Sequence, residues 1–361
     1  MHQKNKVGTL TFHGVINHGA VLQAYALQKF ILNLGYETEL VNYKPFYFIK
    51  QVYRPAKGFR KTLTKYRKFQ KFNKFCAENL RVNSNRISTL KSFSNLDGFD
   101  TLVVGSDQVW NKTITNFKLD PVFFLKGAKA NNKISYAASS GSFLLSKEPA
   151  INEYLSGLDH IGVREGFLAE NINTVVENNC ATMVLDPTLL LDDYSSVIKS
   201  EINLPYKYIV SYEVSTDETR LKFEEALNII KKNLGYKVIH IGDKAIESAD
   251  RNITEIGPND WLYLVKNSEF VVTNSFHGTA FSVNFKKPFV MISHVDEGRN
   301  TRPFNFLSSI GFENNYIEDL KELNKDFLSS LKTTQNYDKL VELQDISKNF
   351  LINALKNETS T

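Results

Sequence analysis

The sequence predicts an α/β protein of two doubly wound, Rossmann-like domains that face one another across a cleft. Three observations carry that expectation. Short apolar, β-branched runs alternate with segments that repeat apolar residues at three- and four-residue steps, the grammar of βαβ units. Clusters of Gly, Ser, Asn and His stand directly after the runs, where parallel strands hand over to helices. The chain, at 361 residues, is long enough for two domains of ordinary size.

Residues 7–12 read as the first strand, 13–19 as a turn and 20–34 as a helix ended by Gly35. Gly14 and Gly19 are spaced as in a phosphate-binding P-loop, but Ala20-Val21 stands where its Lys-Ser/Thr belongs. No GxGxxG follows a strand either, so a dinucleotide fingerprint is absent. Asn17, His18 and Gln23 could hydrogen-bond a polyhydroxylated ligand; equally, Asn17 could only cap the helix and His18 face solvent.

A second strand, 37–41, leads into a basic stretch. Between Lys50 and Lys74 there are ten Lys or Arg and no acid, so the net charge of +5 is concentrated here. Phe59, Leu63, Tyr66, Phe69, Phe72, Cys76 and Leu80 recur at helical spacing within and just beyond it, giving an amphipathic helix with a basic outer face. Such a helix either packs its apolar stripe on the domain or presents a patch to anionic headgroups or a diphosphate-carrying substrate at a membrane surface. No nucleic-acid-binding motif accompanies the charge, so nucleic acid is the poorer reading.

The run 99–104 opens into Gly105-Ser106-Asp107-Gln108-Val109-Trp110-Asn111, a polar cluster at the carboxyl edge of a strand, where open α/β sheets bind ligands. Strand 134–138 ends in Ser139-Ser140-Gly141-Ser142, and 161–166 reads as strand into helix with Arg164 at the junction. An arginine there can hold a carboxylate or phosphate in a fork, or pair with a neighbouring acid. Residues 185–205 read as the crossing between domains.

A second βα series follows: strand 208–214, helix 217–234, strand 237–241, a helix around 260–265 and strand 269–272. Then comes Thr273-Asn274-Ser275-Phe276-His277-Gly278-Thr279-Ala280-Phe281 at a strand-to-helix turn. Ser275 or Asn274 is available as N-cap, and Gly278 lets a ligand approach the backbone. The first amides of a helix are unpaired and lie at its positive end, so an anion is at home there. A histidine beside that anion can deliver a proton, although capping or packing would also account for His277. Strand 288–292, a loop with Arg299 and Arg302, helix 304–310 and a C-terminal amphipathic helix over 340–355 complete the chain. The expected division is 1–195, 196–335, and 336–361 as a helix packing back across the domains.

Hydrophobic content of 42% and charged content of 23% fit a globular protein with material for a core. Cys76 and Cys180 are too isolated to suggest a disulfide framework or a zinc site, and the seven histidines form no HxH or HExxH, so no metal is expected. A reduced cytoplasm is the simplest home, with no signal peptide or membrane-spanning run.

Several stretches together resemble the polysaccharide pyruvyl transferase family. They are Asn17 through Leu27, Val104 through Asn111, Ser135 through Gly141, Val163-Arg164-Glu165, Leu185-Asp186-Pro187-Thr188 and Asn274 through Phe281, in the expected order over roughly residues 7–310. The resemblance implies a GT-B-like fold, an acceptor side in the first domain and a donor side in the second. It implies phosphoenolpyruvate as donor, with no further cofactor, and a sugar hydroxyl pair as acceptor. The products are a pyruvate ketal and inorganic phosphate, in the making of cell-surface polysaccharides (exopolysaccharide or capsule), often on lipid-diphosphate-linked precursors at the inner face of the membrane. On that reading His277 donates the proton to C3 of the donor. Arg164, Ser275 and Gly278 hold the donor, with Arg302, or else Arg299, where the family often has a lysine. Asp107 is the candidate base, and Asn17, His18 and Gln23 hold the sugar. The competing expectations are a nucleotide-sugar-dependent GT-B glycosyltransferase and a non-catalytic carbohydrate- or anion-binding protein.

Overall fold

The structure, a computed structural model, describes residues 6–176, 180–214, 217–333 and 336–357; the ends 1–5 and 358–361 of the expected domains lie outside them. The chain divides into two compact units. One comprises residues 1–56, 72–191 and 342–361, the other 57–71 and 192–341.

The first unit is built on a parallel sheet of six strands: β1 (Lys6–Leu10), β2 (Glu37–Leu40), β3 (Thr101–Val104), β4 (Asn132–Ala138), β5 (His160–Val163) and β6 (Thr182–Met183). Their order is β2-β1-β3-β4-β5-β6. All four residues of β3 are buried, as the solid apolar run requires of a strand inside a parallel sheet. β1 pairs with β2 on one side and β3 on the other, so connections leave in opposite directions from this point. The loops after β1 and β3 therefore meet at the carboxyl edge, the place where such sheets leave a crevice. The C-terminal helix Asp338–Lys356 is stitched to this unit: Ser347 Oγ accepts from Leu185 N at 2.8 Å, and Asn132 Nδ2 donates to the Ala354 carbonyl at 2.7 Å.

The second unit repeats the plan with β7 (Tyr208–Tyr212), β8 (Lys237–Ile241), β9 (Arg251–Ile253), β10 (Phe270–Thr273), β11 (Phe289–Ile292) and β12 (Tyr316–Ile317). The order is β12-β11-β10-β7-β8-β9, again all parallel, and it reverses between β7 and β10. The edge strands β6, β9 and β12 escaped the sequence reading because two or three residues are too few to show a period. The helix after β10 starts at Phe276 with Ser275 as its N-cap, one of the two capping residues expected there.

The basic helix spans Phe59–Asn79, and its aromatic residues divide between two sides: Phe72 and Phe75 are buried, whereas Phe59 and Tyr66 are 83% and 56% exposed. Among the described residues no helix is long and apolar enough to cross a membrane.

Two histidines of the sheets are buried: His13 follows β1 and His240 lies in β8. Burial pushes both down to about 4, against which carbonyls of Thr11 and Lys244 pull only partly; Lys44 and Arg220 add to the depression. Both rings are neutral in the native protein. As pH falls below about 6.5 the unfolded chain takes up protons that the native rings refuse, at about 1.4 kcal/mol per pH unit per ring. Thermal unfolding midpoints are therefore expected to be level above that pH and to fall steadily toward about 4. His240→Gln should flatten the slope; an equal slope in that variant would remove His240 as a cause.

Candidate functional site

At the carboxyl edge of the first sheet the polar residues form one connected network. Gln23, fully buried on the first helix (His18–Asn33), donates through Nε2 to Thr11 Oγ1 at 2.9 Å and to the Ala20 carbonyl at 2.8 Å. Its Oε1 accepts from Ser106 N at 3.2 Å, and Thr11 Oγ1 donates to the Ser106 carbonyl at 2.9 Å. Both ends of the amide are engaged in tying the β1 and β3 loops together. Gln23 thus fastens the two loops to the first helix. Asn17 accepts from Ala20 N at 3.2 Å as the helix N-cap. His18 is buried with its ring 4.8 Å from that of Phe72, not facing solvent. Asn17 is exposed, whereas His18 lies inside the unit.

Ser106 Oγ continues the network by donating to Asp186 Oδ2 at 3.0 Å. Asp186 Oδ1 accepts from Thr188 N and Thr188 Oγ1, capping the short turn Pro187–Leu189. Arg164, just past β5, lies at the centre. Its Nη1 donates to Asp186 Oδ2 at 3.1 Å and its Nε to Glu165 Oε1 at 3.2 Å; Nη2 lies 4.0 Å from Asp107 Oδ1. Glu165 Oε1 also accepts from Ser139 Oγ at 2.7 Å. Burial works against the guanidinium charge, but Glu165, Asp186 and Asp107 outweigh it and raise its affinity for the proton. One cation thus answers three carboxylates, and the cluster is not a free anion trap. Asp107 is only partly buried, held at φ 68 with its Oδ1 accepting from Gln108 N at 2.9 Å. Gly105 before it has φ 118, and a Cβ there would collide with the Tyr136 carbonyl, so only glycine lets β3 turn this closely against β4.

In the second unit the turn after β10 is held as firmly. Thr273 Oγ1 donates to the Tyr212 carbonyl at 2.8 Å and accepts from Ser275 N at 3.1 Å. Asn274 Oδ1 accepts from Val214 N at 2.7 Å, joining the ends of β7 and β10 at the switch point. Ser275 Oγ accepts from Gly278 N at 3.4 Å, and a Cβ on Gly278 would strike Thr273 Oγ1, so glycine is needed for the helix to start beside the strand. The helix Phe276–Asn284 anchors itself through Phe281, whose ring meets Trp261 and Tyr194 edge-on at 5.2 Å. His277 occupies its first turn and is partly exposed, with its ring 5.2 Å from that of Phe276. The structure brings Ser275, His277 and Gly278 together at one turn.

His294, two residues beyond β11, was not singled out by sequence, since a lone histidine after a strand carries no pattern. It is buried, and its Nε2 donates to the Asn274 carbonyl at 2.8 Å. Asn300 brackets it, accepting from His294 N at 2.7 Å and donating to its carbonyl at 2.8 Å. Burial lowers its proton affinity, which the Asn274 carbonyl opposes and Arg299 and Arg302 reinforce. A neutral ring thus ties the loop that carries both arginines to the His277 turn. Arg302 lies in the first turn of the helix Thr301–Ser309, and the exposed Arg299 faces Asp296 at 3.6 Å.

A family model described as polysaccharide pyruvyl transferase matches residues 17–297. No curated protein matches the chain. In fold it is similar to a UDP-GlcNAc 2-epimerase from Methanocaldococcus jannaschii, at 14% identity and a TM-score of 0.53, covering 98% of this chain and 99% of that one. A UDP-GlcNAc 2-epimerase from Neisseria meningitidis bound to UDP-GlcNAc is similar at 10% identity and a TM-score of 0.53, over 96% of this chain and 100% of the other. At such identities the likeness is one of fold, and it places both parallel α/β units in the GT-B-like class.

Proposed function

The chain belongs to the polysaccharide pyruvyl transferase family, and from that premise we propose that it moves the pyruvyl group of phosphoenolpyruvate onto a pair of sugar hydroxyls. The observation that carries this reading is His277: a partly exposed histidine in the first turn of a helix, at the carboxyl edge of the β7–β10 switch point. The first amides of that helix, with Arg302 and Arg299 on the loop that His294 ties to Asn274, suit the phosphate and carboxylate of the donor. His277 gives a proton to C3, which makes C2 an oxocarbenium-like centre. One sugar hydroxyl attacks C2 and loses its proton, with Asp107 the candidate base. Phosphate leaves with its bonding pair, and a second hydroxyl of the same sugar closes the ketal as its own proton departs. Arg164 enters this scheme chiefly as the residue that fixes Asp107, Glu165 and Asp186 in place.

A second reading is favoured by the fold alone: the solved structures of similar fold include UDP-GlcNAc 2-epimerases, one of them bound to UDP-GlcNAc. The two readings separate in one experiment. Phosphate release from phosphoenolpyruvate should depend on the presence of a hexoside, and titration calorimetry with UDP and UDP-GlcNAc should show no saturable heat. Tight UDP-sugar binding together with no phosphate release from any free or lipid-linked hexoside would reverse the assignment.

A further inference from the structure

We propose that the amino-terminal end of the helix Phe59–Asn79 is a docking surface for an anionic lipid bilayer, lodging Phe59 and Tyr66 at the headgroup level beside Arg60, with Lys57 and Lys61 adding positive charge at the same end of the helix. The inner cations of this helix are used to fasten it. Lys68 Nζ meets Asp243 Oδ1 at 2.9 Å, Arg67 meets Glu255 at 3.6 Å, and Lys71 Nζ donates to the Glu255 carbonyl at 2.7 Å. Toward the helix start the pattern changes. Residues 57–61 are all exposed, and Lys57, Arg60 and Lys61 make no ion pair among the described residues.

Folding does not explain this end of the helix. Its first turn has no acid and two cations at the positive end of the helix dipole, where cations are unfavourable. Phe59 and Tyr66 are two turns apart, so they share one stripe, opposite the side on which Lys68, Phe72 and Phe75 are packed. An aromatic ridge flanked by unpaired Lys and Arg is the composition that suits an interface of acyl chain and anionic headgroup. Contact would be peripheral, since no described helix can span the bilayer. This surface is independent of the reaction assigned above and stands or falls apart from it.

Flotation of the full chain with vesicles tests it. Binding is expected to equimolar phosphatidylglycerol and phosphatidylcholine at low salt, with loss in half-molar salt and none to phosphatidylcholine alone. The combined variant Lys57→Glu, Arg60→Glu, Lys61→Glu should bind more than about a hundredfold more weakly, and Phe59→Ser about tenfold more weakly. The unfolding temperature of Phe59→Ser should be unchanged, which keeps the test valid if the triple variant folds poorly. Equal affinity for neutral and anionic vesicles, undiminished binding of Phe59→Ser, or capture of duplex DNA without capture of vesicles would each overturn the proposal.

Discussion

His277→Asn is expected to lower the turnover of phosphoenolpyruvate by about 10² to 10⁴, the usual contribution of a positioned general acid. His277 is partly exposed at the helix start, and Ser275, Thr273 and Asn274 hold the turn beneath it through hydrogen bonds of their own. Loss of the side chain should therefore leave the unfolding temperature within the small range of ordinary surface changes. Asparagine keeps the polarity and roughly the bulk but cannot pass a proton at neutral pH. The loss should fall on kcat, with the KM for phosphoenolpyruvate changed far less, because the helix amides that suit the anion are untouched. Steady-state phosphate release under saturating acceptor decides the matter. Turnover within a fewfold of the parent would remove His277 from the proton transfer and leave it as a packing residue.

The two-sheet architecture was legible because parallel strands buried on both faces must be apolar throughout, and runs such as Leu102-Val103-Val104 and Phe270-Val271-Val272 have no other use. The turn at His277 was legible for a related reason: a cap, a glycine and a histidine at the close of a buried strand leave few conformations. What escaped was the partner of each polar residue. Gln23 reads as a free amide in a helix until Ser106, eighty-three positions later, is seen to donate to it. His294 has no pattern at all, because its significance lies in the Asn274 carbonyl twenty residues away. Asp186 carried a local signal, the Asp-Pro-Thr order of a capped turn, which was read as a linker and could have been read as structure. Contacts between distant positions are set by the order of strands, and that order is not written in any one stretch.

The largest effect on stability is expected at Arg164. Arg164→Met keeps the apolar stem and removes the guanidinium, leaving Asp186 and Glu165 buried opposite one another with Asp107 close by. Each retains some hydrogen bonds, Asp186 from Ser106 and Thr188 and Glu165 from Ser139, but none brings a full charge. Breaking such a buried group by removing one partner costs about 3–5 kcal/mol, against at most about 1 kcal/mol for an exposed pair. Arg164→Lys should recover only part of this, because Nε and Nη1 serve two different carboxylates and a single ammonium cannot reproduce that fork. In the Met variant the stranded carboxyls gain affinity for protons in the native state. The deficit relative to the parent should therefore narrow as pH falls toward the carboxylate range. Denaturant unfolding of parent, Lys and Met chains at neutral and mildly acidic pH measures all three expectations. A residue whose task were only to grip the donor would give the opposite result: an unfolding curve that does not move, and a KM for phosphoenolpyruvate that rises.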